Sequence, residues 1–154
     1  MTEEKIDLVI EGNTATWEIN TQGDILGLYS GQFRFRCYLT PSQRLSASRD
    51  YRELLGPNPS VALQTDDNLA FALSQLKHRI LSSPPFWSSS LATTGIAGDL
   101  PDDVVIMKVL DASIEAELRF KAQVKDKRKD AIQRARKAAE RLLNDREEDD
   151  KDKE

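Results

Sequence analysis

Side chains able to do covalent or metal chemistry are scarce in this chain. His78 is the only histidine and Cys37 the only cysteine. A zinc site draws about four ligands, mostly Cys and His, and this composition cannot supply them. His78 sits between Lys77 and Arg79. Cationic neighbours disfavour a charged imidazole, so it reads as a surface or boundary residue rather than a proton shuttle. Cys37 cannot form an internal disulfide, which favours a reducing compartment, and beside Phe35 and Leu39 it reads as a small buried hydrophobe. Two carboxylate pairs, Asp66-Asp67 and Asp102-Asp103, could in principle divide acid and base roles. Each stands where a helix is expected to begin, and capping with the helix dipole accounts for both. Gly27 and Gly31 lie in a strand context, not a phosphate loop, and no serine sits in a nucleophile elbow. The expectation is therefore a non-enzymatic protein with no catalytic residue, metal or cofactor.

Residues suited to binding are easier to find. Ser83-Pro84-Pro85-Phe86-Trp87 places two large aromatics directly after two prolines. Phe86 and Trp87 either plug the core or anchor a protein partner from a stiff helix exit. Charge is also segregated. Met1–Phe120 holds 10 basic and 16 acidic residues, Lys121–Arg141 holds 9 and 3, and Leu142–Glu154 holds 3 and 7. Lys125, Lys127, Arg128, Lys129, Arg134, Arg136 and Lys137 could contact nucleic-acid phosphates with salt-sensitive affinity. The segment has no aromatic for base stacking, and Asp126, Asp130 and Glu140 interrupt it, so a solvated helix with i,i+4 pairs is the plainer reading. Ala131, Ala135, Ala138 and Leu142 recur at 3–4 spacing and form a narrow seam for another helix, including one from a second copy of the chain.

The elements that must position these residues follow from periodicity. Ile6, Leu8 and Ile10 alternate with Asp7, Val9 and Glu11 before Gly12-Asn13, and Thr14–Thr21 alternates again with Trp17 and Ile19 on one side. Phe33, Phe35, Cys37 and Leu39 then face one way, and Arg34, Arg36 and Tyr38 the other. Three strands with short turns predict an antiparallel meander with one wet face. Thr40-Pro41-Ser42-Gln43 carries a cap, a first-turn proline and a capping-box glutamine, starting a helix that runs to about Leu55. Leu45, Ser48, Tyr51, Arg52 and Leu55 lie at helical spacing along it. A second helix from about Thr65 places Leu69, Leu73, Leu76 and Ile80 on one stripe and ends before Pro84-Pro85. Ser88–Gly98 reads as a loop. A third helix opens at Leu100-Pro101-Asp102-Asp103, with Met107, Leu110, Ile114, Leu118 and Ala122 as its buried stripe. Large apolar residues thin out after Phe120. The expected architecture is α+β: a small antiparallel meander followed by a helical body, compact over residues 1–120. A charged, projecting helical extension over 121–154 completes it.

Gly31–Pro41, Asp50–Gly56, Leu69–Ile80 and Pro84-Pro85-Phe86-Trp87 together resemble small proteins of tailed-bacteriophage morphogenesis regions, the tail assembly chaperone-like proteins. The resemblance covers Gly31 to Trp87, about a third of the chain, and its motifs are structural. It implies a protein that binds the tape measure protein or tail subunits in the host cytoplasm during assembly. Two other readings stand beside it: a virion component of baseplate, neck or head that uses the long helix for subunit contacts, and a nucleic-acid-binding protein. No apolar run is long enough for a membrane span, and Met1-Thr2-Glu3-Glu4-Lys5 is unlike a secretory signal.

Overall fold

The computed structural model describes residues 5–58, 64–91 and 95–153. Three strands open the chain: β1 (Leu8–Glu11), β2 (Thr14–Gln22) and β3 (Leu28–Arg36). The turn between β1 and β2 is two residues long, and Gly12 takes a φ of 61°, where a side chain would be strained. Register places Leu8 opposite Trp17 and Trp17 opposite Phe33; Ile10, Ala15 and Phe35 form the next row. Because side chains alternate along a strand, these rows share one face, and Phe33, Phe35, Cys37 and Leu39 are all buried there. The other face carries Glu18, Asn20, Ser30, Gln32 and Arg34 and is exposed. The meander and its wet face are thus as the alternation predicts.

Helix α1 (Pro41–Leu55) begins with the expected capping box. Gln43 N–H donates to the Thr40 hydroxyl, and Thr40 N–H donates to the Gln43 side-chain oxygen at 2.9 Å. Its inward face is not led by Leu45, which is exposed; Ala47 is its buried residue, with Asp50 and Tyr51 half-buried beside it. Helix α2 (Gln64–Arg79) buries Ala70, Ala72, Ser74, Leu76 and Arg79. It stops one residue before Ile80. Instead of closing the helical stripe, Ile80 opens a fourth strand, β4 (Ile80–Ser82), which pairs antiparallel with β3. The sheet order is β1-β2-β3-β4. Ile80 is β-branched and suits an extended backbone.

Pro84-Pro85 starts a single helical turn, α3 (Pro85–Ser88), continued by a 3-10 turn at Ser89–Leu91. The segment expected as a loop is therefore partly ordered: Ser90 donates to the Trp87 carbonyl at 2.7 Å, and Ala97 and Leu100 are buried. Part of it, residues 92–94, lies outside the described residues. Helix α4 (Asp103–Lys151) is the long C-terminal helix. Its buried face is Val105, Ile106, Val109, Leu110, Ala112, Ser113 and Ala116. That face is rotated from the expected stripe: Leu110 belongs to it, Met107 and Ile114 flank it, and Leu118 and Ala122 are exposed. Ala112, Ser113 and Ala116 are the small residues of that buried face.

The chain divides into two compact units, Met1–Phe120 and Lys121–Glu154. The core of the first is aromatic. Phe33 meets Phe86 at a ring-centroid distance of 6.0 Å and Trp87 at 5.5 Å, both edge-on, and stacks with Phe35 at 5.8 Å. Such pairs contribute about 0.5–1.5 kcal/mol beyond their burial. Gly31, at φ 149°, lies under Pro84; a Cβ there would meet the proline Cβ at 2.5 Å. Polar links fasten the first part of α4: Lys108 donates to Thr21 Oγ1 at 2.6 Å, Arg119 to the Ile6 carbonyl at 2.7 Å and Arg79 to Glu117 at 3.2 Å.

Candidate functional site

The most unusual local arrangement is at the β2–β3 connection, residues 23–27. Gly23 N–H donates to the Gly27 carbonyl at 2.6 Å and closes the loop. Asp102, directly before α4, turns its carboxylate into the loop. Oδ1 accepts from Ile25 N–H at 2.6 Å, and Oδ2 accepts from Leu26 N–H at 3.2 Å and from the Tyr29 hydroxyl. Asp102 is 1% exposed, so these are buried, charge-assisted bonds. Burial alone would raise its pKa; the Tyr29 hydroxyl and the Ile25, Leu26 and Asp24 amides outweigh burial and hold it below the usual carboxylate range. The same contact, added to burial, pushes the Tyr29 hydroxyl up to about 12. Gly23 makes room for this: a Cβ there would run into the Tyr29 ring and approach Asp102 Oδ2 to 2.6 Å. Capping by position therefore does not account for Asp102, since its side chain serves a loop 76 and 77 residues away in sequence.

The loop so held presents apolar side chains outward. Ile25, Leu26 and Leu28 are 66%, 65% and 70% exposed. A loop normally exposes polar groups, and large apolar side chains in solvent here depart from that pattern. Fixed backbone lowers the ordering cost of association. Burying each Ile or Leu side chain contributes about 1.5–3 kcal/mol. The chemistry available here is apolar contact. The sequence held one signal for this site, the run Ile25-Leu26-Gly27-Leu28 just after a turn signature, where polar residues are usual. The partner carboxylate at Asp102 has no local signal.

A second polar cluster joins α1 to α2. His78 Nε2–H donates to Asp50 Oδ2 at 2.7 Å, and Lys77 Nζ lies 3.5 Å from the same oxygen. Burial raises the Asp50 pKa, but His78 and Lys77 outweigh it and hold it below the usual range. The Tyr51 hydroxyl donates to Asp67, whose carboxylate is thereby engaged across the helix pair. These contacts make His78 a helix-to-helix link. Among the described residues no group of three or more His, Cys, Asp and Glu side chains is placed to hold a metal ion.

The structure scatters the residues singled out from sequence. Trp87 is 3% exposed and Phe86 packs edge-on to Tyr29 at 5.0 Å. Trp87 belongs to the aromatic core and the half-buried Phe86 packs against it, beside the contact of Pro84 with Gly31. Ala131, Ala135, Ala138 and Leu142 lie on the exposed second unit, on one side of the helix. Lys125, Lys127, Arg128, Lys129, Arg134, Arg136 and Lys137 are exposed as well. At about 3.6 residues per turn they spread around most of the helix instead of sharing a face. Among the described residues no helix is long and apolar enough to cross a membrane. Comparison with models of known protein families, with curated proteins and with solved structures finds no match.

Proposed function

We propose that this chain is a non-enzymatic assembly factor that binds another protein through its β2–β3 loop. Support comes from one observation above all: Ile25 and Leu26, on a loop whose backbone is fixed by a buried carboxylate, and Leu28, at the adjoining start of β3, are large apolar side chains standing in solvent. A protein that shields an aggregation-prone apolar helix during assembly needs such a surface. The similarity of Gly31–Trp87 to tail assembly chaperone-like proteins suggests the partner class, a tape measure protein or a tail subunit. On this reading the protein acts in the host cytoplasm. A second reading, a virion component joined to its neighbours through α4, is favoured by the exposed apolar side chains Ile132, Leu142 and Leu143. Nucleic-acid binding has less support, because the basic residues of the helix do not line up.

A tagged chain carrying Leu26→Asp and Leu28→Asp should melt as the parent does and lose the partner in pull-downs from cells that make both proteins. Recovery of the same proteins by parent and variant would sink the loop reading. Mass spectrometry of purified particles separates the two roles: an assembly chaperone is absent from them, a virion component present.

A further inference from the structure

The second unit is one helical segment whose residues from Lys125 to Asp150 are all exposed. Its large apolar side chains, Ile132, Leu142 and Leu143, are 54%, 66% and 60% exposed. With the nearby alanines they fall on one arc of about 140°, at 100° per residue. The charge along the segment reverses. Lys121–Ala131 carries five basic and two acidic residues, a net of +3; Leu143–Lys153 carries three and six, a net of −3.

We propose that this segment pairs with the same segment of a second copy of the chain, antiparallel, about a twofold axis near Lys137. Three matches carry the assignment. First, that axis sets Ile132 against Leu142 and Ala135 against Ala139, so the four central layers of the seam are apolar on both sides. Second, Ile132 and Ala139 take the a positions of a heptad, and Ala135 and Leu142 the d positions. An antiparallel coiled coil layers a against d, and this register does so. Third, the +3 end of one helix lies along the −3 end of the other, and Lys125 faces Asp149 within the seam. A parallel pair would set +3 beside +3 and −3 beside −3, which repels. The layers of Arg128 with Arg146 and of Lys121 with Lys153 oppose like charges, and alanine layers bury little area, so the pairing is reversible and salt-sensitive. The twofold contact is self-complementary and therefore closes at a dimer. It stands independently of the β2–β3 loop reading.

Sedimentation velocity on the full chain tests this. The expected result is a monomer–dimer equilibrium that shifts to dimer with concentration and back with added salt. Leu142→Asp should abolish the dimer and leave the melting of the first unit unchanged. A chain that stays monomeric throughout, or a dimer untouched by Leu142→Asp, overturns the proposal. Orientation is read by mixing two variants, Ile132→Cys and Leu142→Cys, under mild oxidation. Antiparallel pairing gives the mixed disulfide; homodisulfides of each variant alone mean parallel helices and overturn it.

Discussion

Asp102 stays ionised inside the protein because its two oxygens accept from backbone amides of a closed loop and from the Tyr29 hydroxyl. The pH dependence of stability follows from the direction of each shift. A carboxyl whose folded pKa lies below its ordinary 3.8 binds protons more weakly when folded. Its stabilisation is fully present above that value and is lost as pH falls through the folded pKa; Asp50 acts with the same sign. Tyr29 works at the other end. Its folded pKa is raised from 10.0 to about 12, so its contribution is complete below pH 10 and disappears as pH rises toward 12. Urea melts across this alkaline range should show falling stability in the parent, and a much smaller fall in Tyr29→Phe. An undiminished fall in the variant would place the alkaline sensitivity elsewhere.

At the scale of elements, what the sequence shows and hides has a physical pattern. Alternation in Gly31–Leu39 and the capping signature at Thr40–Gln43 are local, and both features stand in the structure as the residues predict. Faces of helices proved harder. Leu45 looks like core by type but is exposed, because α1 meets α2 through Ala47, Asp50 and Tyr51, a polar seam that hydropathy does not reveal. Helix α4 buries Ala112, Ser113 and Ala116 along with Val105, Ile106, Val109 and Leu110, and leaves Leu118 out, a rotation that residue type alone does not reveal. The Asp102 clamp was illegible for a different reason: its partners lie 73 to 77 residues away, and only the fold brings them together. A mutation pair separates burial from residue type. Leu76→Ala should cost about 2–4 kcal/mol in a denaturant melt, as large-to-small changes at buried sites do. Leu45→Ala should change stability by less than about 0.5 kcal/mol. Equal effects at both positions would mean that α1 buries a different face from the one described.

For the whole molecule, the consequence lies in how the core is distributed. Every residue of the buried cluster falls between Ala15 and Ala116, with Phe120 the last to pack against it. A chain ended after Phe120 should therefore keep a cooperative melt close to that of the full chain. The second unit has no buried residue among those described, and a single exposed helix is marginal in water. Its order must then depend on what covers it. At low protein concentration limited proteolysis should cut within Lys121–Lys151 while the first unit survives. At high concentration the same bonds should become resistant, because antiparallel pairing of two copies covers the apolar arc, and Leu142→Asp should remove that protection. Resistance that is equal at all concentrations would mean that the helix is stabilised within one chain, and loss of the cooperative melt on truncation would mean that the first unit needs the second to fold.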